Sequence, residues 1–167
     1  RFVWRRMGNL PIQFGCEESL SDGYVTVQST RREVFWIKVS SALRHGRVMA
    51  FDYGLESDAF FVPPRKDGTL RAYYRHQITD DLLARVGEQD LTSSVNFTAI
   101  RNAGESAGLK SEPMRAQEQF LMGIFEKTLK QPERFPEWTA KRRRQFQTLV
   151  HPEHLGRQFQ VLQQVRD

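Results

Sequence analysis

The spacing of apolar residues changes several times along the chain, and each change marks an element. Phe35, Trp36, Val39, Ala42 and Leu43 recur at helical spacing, because side chains three and four apart share a helix face. Thr30 and Glu33 have the spacing of a capping box, so this helix is predicted to start there and run to about His45. His45 suits the negative end of its dipole, and Gly46 stands where it would terminate. The pattern then becomes continuous in "RVMAFDY", which predicts a strand covered on both faces, as in a parallel α/β sheet. From Leu55 to Gln77 a long excursion follows, with a hairpin expected at "KDGTL". A connection of that length is usually functional or structured in its own right.

Helical periods return later. "TDDLLARVG" predicts a short helix capped by Thr79 and ended by Gly87. Another carries Phe97, Ile100, Ala103 and Ala107, with Gly108 after it. A third starts near Gln117 with the stripe Phe120, Leu121, Ile124, Phe125 and Leu129. "FPEW" reads as a loop, Thr139 to Val150 as a basic helix and "RQFQVLQQV" as a closing strand. Near the start, "RFVWRR" places Phe2 and Trp4 on one face of a strand, and "DGYVTVQ" reads as a turn leading into a β-branched run.

Composition narrows the class. The chain has 167 residues, 39% hydrophobic and 27% charged, which is the balance of one globular domain or part of a larger one. No apolar run approaches the roughly 20 residues of a membrane span, so no membrane insertion is expected. "RFVWRRMGNL" lacks the apolar core of a signal peptide. Cys16 is the single cysteine, which fits a reducing compartment and rules out an internal disulfide. The net charge of +5 owes much to the four consecutive cations Lys141 to Arg144. A solvated helix face and an anion-binding surface both account for that run; without an RNA- or DNA-binding signature, nucleic acid is not the expected partner.

Candidate chemistry gathers near the end of the "RVMAFDY" strand, since ligands of open α/β sheets bind beyond the carboxyl ends of strands. Two readings stand for Asp52: a site carboxylate, or an acceptor for loop amides, with Gly54 simply turning the chain. His76 is the best single acid–base candidate, histidine being the side chain that titrates near neutrality; a surface histidine is the alternative. Glu88 and Asp90 follow a helix-ending glycine, and would either join Asp52 in a pocket suited to a guanidinium or cap the next helix. "HPEH" offers only two imidazoles and a glutamate, and no metal is expected.

The motifs "DYG", "GTLRAYYRH", "GEQDLTSSVNFTAI", "AGL" and "QEQFLMGI" resemble, in order and approximate spacing, the MidA-like S-adenosylmethionine-dependent methyltransferases. The resemblance covers about Gly46 to Ile124 and continues faintly in "LGRQFQVL". It implies an α/β fold: the C-terminal part of a Rossmann-like methyltransferase with an inserted substrate-side region. The divisions would be 1–28, 29–54, 55–96 and 97–167, with the last two strands near Met114 and Phe159. The cofactor loop and ribose carboxylate would lie upstream of Arg1, leaving Gly54 as the one cofactor-binding candidate in this chain. The resemblance also implies a protein substrate, with methylation of arginine and a respiratory complex I subunit homologue as candidate acceptor. The compartment would be the cytoplasm, or the mitochondrial matrix if the protein is eukaryotic. Catalytic candidates are then Asp52, Tyr53, His76, Glu88 and Asp90, and substrate-binding candidates Arg71, Tyr74, Thr92 and Ser94. Tyr53 would pack against acceptor or cofactor, and His76 would relay a proton. Ser94 and Asn96 stand where the family commonly has histidine and aspartate; asparagine keeps a helix-capping oxygen but loses a charge. Competing readings are a non-catalytic assembly module using Arg142 to Arg144, and methylation of small molecules or RNA.

Overall fold

The computed structural model describes residues 20, 22–27, 29–79 and 81–167. The expected strand with Phe2 and Trp4, Cys16, and the end of the run at Gln28 lie outside the described residues. The fold is mixed α/β. A five-stranded mixed sheet has the order β5 (Val95–Asn96), β1 (Gly46–Leu55), β8 (Phe159–Arg166), β6 (Lys110–Ser111), with β7 (Arg115–Ala116) also on β8. A smaller sheet, β3 (Gln77–Thr79), β2 (Arg71–Tyr74), β4 (Asp90–Thr92), is built from the excursion between β1 and β5.

Two helix layers sandwich the larger sheet. On one face α1 (Thr30–Ala42) and α3 (Phe97–Ser106) supply Trp36, Phe97, Ile100 and Ala103 to a core with Val95 and Leu162, against which Val48 and Ala50 pack. On the other face lies α4 (Gln117–Lys130), whose Phe120 ring meets Phe51 edge-on at 5.3 Å. The alternation of strand side chains explains this division: even positions of β1 face α1 and α3, odd positions face α4. α5 (Ala140–Val150) packs beside α4 through the rings of Phe125, Trp138 and Phe146. Among the described residues no helix is long and apolar enough to cross a membrane.

β8 is the central strand, with Val161 to Gln164 all buried. Two of them are polar, and Gln164 is the more deeply buried. Trp36 Nε1 donates to Gln164 Oε1 at 2.6 Å, and Gln164 Nε2 donates to the Arg101 carbonyl and Ser111 Oγ, both at 2.9 Å. The amide is satisfied by α1, α3 and β6 together, as a buried polar group must be. Gly104 makes room for it: a Cβ there would stand 1.9 Å from Gln164 Oε1. Arg166 on the same strand donates to the carbonyls of Ser40 at 3.1 Å and Ala107 at 2.5 Å, at the carbonyl-rich ends of α1 and α3.

Several expectations are corrected. β1 is not a strand in a purely parallel setting covered on both faces. It runs antiparallel to β8 from Gly46↔Arg166 to Tyr53↔Phe159, and parallel to β5 only at Gly54 and Leu55. Met49, Phe51 and Tyr53 stay 47%, 39% and 42% exposed. A continuous apolar run marks a core strand without fixing its neighbours' direction, and β8 is the strand buried throughout its centre. α1 starts one residue too early for the capping box: Ser29 is its N-cap, so Glu33 falls one position past the box and its Oε2 is buried without a partner. The helix ends at Ala42, Gly46 opens β1 with φ 120°, and Phe35 is 63% exposed. The predicted helix at Thr79–Gly87 is absent: Thr79 belongs to β3, and residues 81–89 form turns and bends. There Asp81 Oδ1 accepts from the amides of Leu83 and Ala84, as an N-cap would, but Arg85 is left-handed with φ 45° and stops the turn from propagating. The run after Asp22 makes a turn and a single parallel bridge, Val25 to Asp67.

Replacing Gln164 by Leu removes three hydrogen bonds and leaves the Trp36 N–H buried without a partner, while the Arg101 carbonyl keeps only its bond within α3. We expect a loss of about 2–4 kcal/mol, read as a lower urea midpoint at unchanged slope. A loss below about 0.5 kcal/mol would show that the amide does not hold the layers together.

Candidate functional site

The excursion after β1 folds into the smaller sheet. Tyr74 pairs with Gln77, so β2 and β3 are joined by a two-residue turn at Arg75 and His76, and not at "KDGTL". Both turn residues are left-handed, with φ 50° and 65°. Two-residue hairpins favour this geometry because it matches strand twist, but they normally place Asn or Gly there. A side chain with a Cβ costs about 1–2 kcal/mol at each such position, and strain of this kind concentrates at functional sites.

β4 returns beside β2, with Tyr73 opposite Asp90 and Arg71 opposite Thr92. These four therefore share one face of the small sheet, while Ala72, fully buried, points to the other. On the shared face, Tyr73, Arg75, His76, Glu88 and Asp90 line an open cleft of about 520 Å3. A second cleft of about 500 Å3 adjoins it and is lined by Tyr53, Arg71, Tyr73, Thr92, Ser94 and Gln158, among others. Tyr73 is common to both. The Tyr53 ring packs against Phe159 at 4.0 Å, which ties this second cleft to the end of the main sheet. The floor of the second cleft is braced from α1: Arg32 donates to the Ser94 carbonyl at 3.1 Å and to Ser93 Oγ at 2.7 Å. Asn96 caps α3 by accepting from the Ala99 amide at 3.2 Å.

His76, Glu88 and Asp90 are thus brought together, as are Tyr53, Arg71, Thr92 and Ser94. Three other candidates stand apart. Asp52 lines neither cleft, so the expected pocket uniting it with Glu88 and Asp90 does not form. It lies on the opposite face of β1 from Tyr53, and its Oδ1 accepts from the Tyr53 amide at 2.8 Å. Gly54 is buried, and a Cβ on it would stand 2.3 Å from the Val95 carbonyl oxygen and 2.6 Å from the Phe97 ring. Its smallness admits the α3 start rather than opening a ligand surface. Tyr74 points away from the clefts, with the Arg85 and Arg75 guanidinium carbons 4.3 and 5.2 Å from its ring centre. The residues missed from sequence are Tyr73 and Arg75. "AYY" offers two tyrosines, and only pairing with Asp90 tells which faces the cleft.

What this site can do follows from its groups. Two carboxylates outnumber the one guanidinium, Arg75, in the first cleft, and with an imidazole and an aromatic ring they suit a planar cation. Among the described residues no glycine-rich loop opens onto the clefts, so these residues lack the close backbone approach that a nucleoside cofactor uses. Elsewhere, His151 and His154 lie with ring centres 4.7 Å apart, and among the described residues no three His, Cys, Asp or Glu side chains are placed to hold a metal. Arg142 and Arg143 donate to the Glu137 and Trp138 carbonyls, bracing the loop before α5.

An α/β fold with a mixed sheet, carrying an acidic cleft on an inserted sheet, defines the class. Residues 7–114 match the family described as "Putative S-adenosyl-L-methionine-dependent methyltransferase", and the chain belongs to that family. Two solved structures from Burkholderia thailandensis, both of one superfamily, are similar. The first, an uncharacterized protein, has a TM-score of 0.75 and 29% identity, over 88% of this chain and 40% of its own. The second, bound to S-adenosyl-homocysteine, has a TM-score of 0.76 and 28% identity, over 90% of this chain and 40% of its own. The chain thus spans about 40% of the length of these proteins. No curated protein matches it.

The strained turn makes a test. Exchanging Arg75→Asn together with His76→Gly relieves two left-handed side-chain positions and should raise stability by about 1–2 kcal/mol, seen as a higher thermal midpoint. A lower midpoint would mean that the turn is not left-handed at both residues.

Proposed function

We propose that this chain forms the acceptor side of an S-adenosylmethionine-dependent methyltransferase whose acceptor is a protein arginine. The family supports the reaction class, and the neighbour bound to S-adenosyl-homocysteine supports the cofactor. The observation that carries the arginine reading is the cleft holding Glu88, Asp90 and His76 beside Tyr73. The cofactor, when bound, supplies an electrophilic methyl group. The chain's own residues do the rest. Glu88 and Asp90 orient a guanidinium and balance its charge, which holds one nitrogen in line for transfer. Tyr73 offers a ring face to the planar cation. The nitrogen that gains a methyl group sheds a proton, and the His76 imidazole is the base within the cleft.

The test is mass spectrometry of arginine- and lysine-containing peptides after incubation of the whole protein with methyl-labelled S-adenosylmethionine. Label on arginine is expected, and Glu88→Gln with Asp90→Asn should lower kcat/KM by about 100-fold. Label confined to lysine, RNA or small molecules would overturn the arginine assignment. Absence of transfer together with absence of binding heat from the cofactor would favour a non-catalytic module.

A further inference from the structure

The cleft containing Glu88 and Asp90 does not end at Tyr73. Tyr73 also lines the second cleft, and Thr69, Arg71 and Ser94 of the second cleft also line a third, of about 380 Å3. Shared side chains make the three one groove along β2 and β4. Charge is divided along it. Glu88 and Asp90 lie at one end, with Arg75 and His76; the middle is uncharged apart from Arg71; at the far end Arg65 and Arg71 outnumber Asp67. Arg71 uses one N–H on the Leu70 carbonyl, at 2.8 Å. Its other donors have no protein partner among the described residues, and neither does the Arg65 side chain. Two arginines with free donors beside a groove are built to read a carboxylate.

The geometry points to the substrate class: an extended protein segment with an acidic side chain about two to five residues from the target arginine, its carboxylate read by Arg65 and Arg71. The spacing follows from the groove. β2 advances about 3.3 Å per residue and Asp90 stands opposite Tyr73, so Asp90 and Arg71 stand about 7 Å apart along it, with Glu88 beyond Asp90 at one end and Arg65 beyond Arg71 at the other. The inference rests on the arginine reading for the acidic end of the groove only.

Fluorescence anisotropy with the whole protein and labelled extended peptides tests it. Each peptide carries one arginine, with glutamate, alanine or lysine placed about three or four positions before or after it. We expect the glutamate peptide, in one of the two orientations, to bind about three- to fivefold more tightly than its alanine counterpart. The difference should fade near 0.5 M salt. Arg71→Glu should reverse the preference toward the lysine peptide, with an unchanged far-UV circular dichroism spectrum because Arg71 is exposed and makes one side-chain bond. Equal affinity for all three peptides, or an unchanged preference in the variant, overturns the inference. Replacing the peptide's arginine by alanine separates the two claims. If the glutamate preference persists and the arginine does not matter, the groove assignment stands and the arginine reading fails. If only the arginine matters, the reverse holds. Absence of binding by every peptide overturns both.

Discussion

The Gln164 side chain reaches out of the central strand into a space that Gly104 leaves free, and there it bonds to three other elements at once. An amide buried so completely is costly unless every donor and acceptor is matched. The matching can occur in one arrangement: Trp36 of α1 on one side, the Arg101 carbonyl of α3 and Ser111 of β6 on the other. Apolar packing around Leu162 and Phe97 supplies most of the driving force for folding but is tolerant of small slips. The amide is not tolerant. It fixes the register of α1 and α3 over the sheet, and Arg166, on the same strand, closes the far ends of both helices.

That register decides where the clefts lie. β8 holds β1 in a continuous antiparallel ladder, which brings Tyr53 and Phe159 together at the end of both strands. α3 follows directly from β5, and the Val95 carbonyl of β5 and the Phe97 ring of α3 approach Gly54 too closely for any side chain there. α1, held by Trp36, presents Arg32 to Ser93 and Ser94. The smaller sheet is therefore anchored at one edge by residues whose position traces back to the buried amide. The far end of its β2–β3 hairpin, the Arg75–His76 turn, is strained, so the braced second cleft adjoins a strained first one.

Much of this was legible in the sequence. α4 and α5 begin within a residue of where the sequence pattern places them, α3 carries the expected Phe97, Ile100 and Ala103, and β8 is recognisable from a run of apolar residues and glutamines. The caps Asn96 and Thr139 do what their residue types suggest. What was not legible depends on pairing between distant segments. Tyr73 and Tyr74 are equivalent until β4 arrives with Asp90. Asp52 looked like a site residue because it ends an apolar run, yet strand alternation turns it away from Tyr53 and the clefts. The hairpin was misplaced because Arg75 and His76 are poor residues for a left-handed turn, whereas "KDG" carries the usual signal. The segment after Thr79 carries a plausible helical pattern, and the left-handed backbone at Arg85, φ 45°, interrupts it within a turn of the Asp81 cap.

The account stands on the claim that the cleft of Tyr73, His76, Glu88 and Asp90 receives a guanidinium. Nuclear magnetic resonance shift mapping with N-acetyl-arginine methylamide tests this most directly. The account predicts that amide shifts concentrate at these four residues and their neighbours, and that the lysine analogue produces weaker shifts there. Shifts centred instead on the largely apolar cavity of Phe135, Trp138 and Phe146, or equal shifts with lysine, would contradict it.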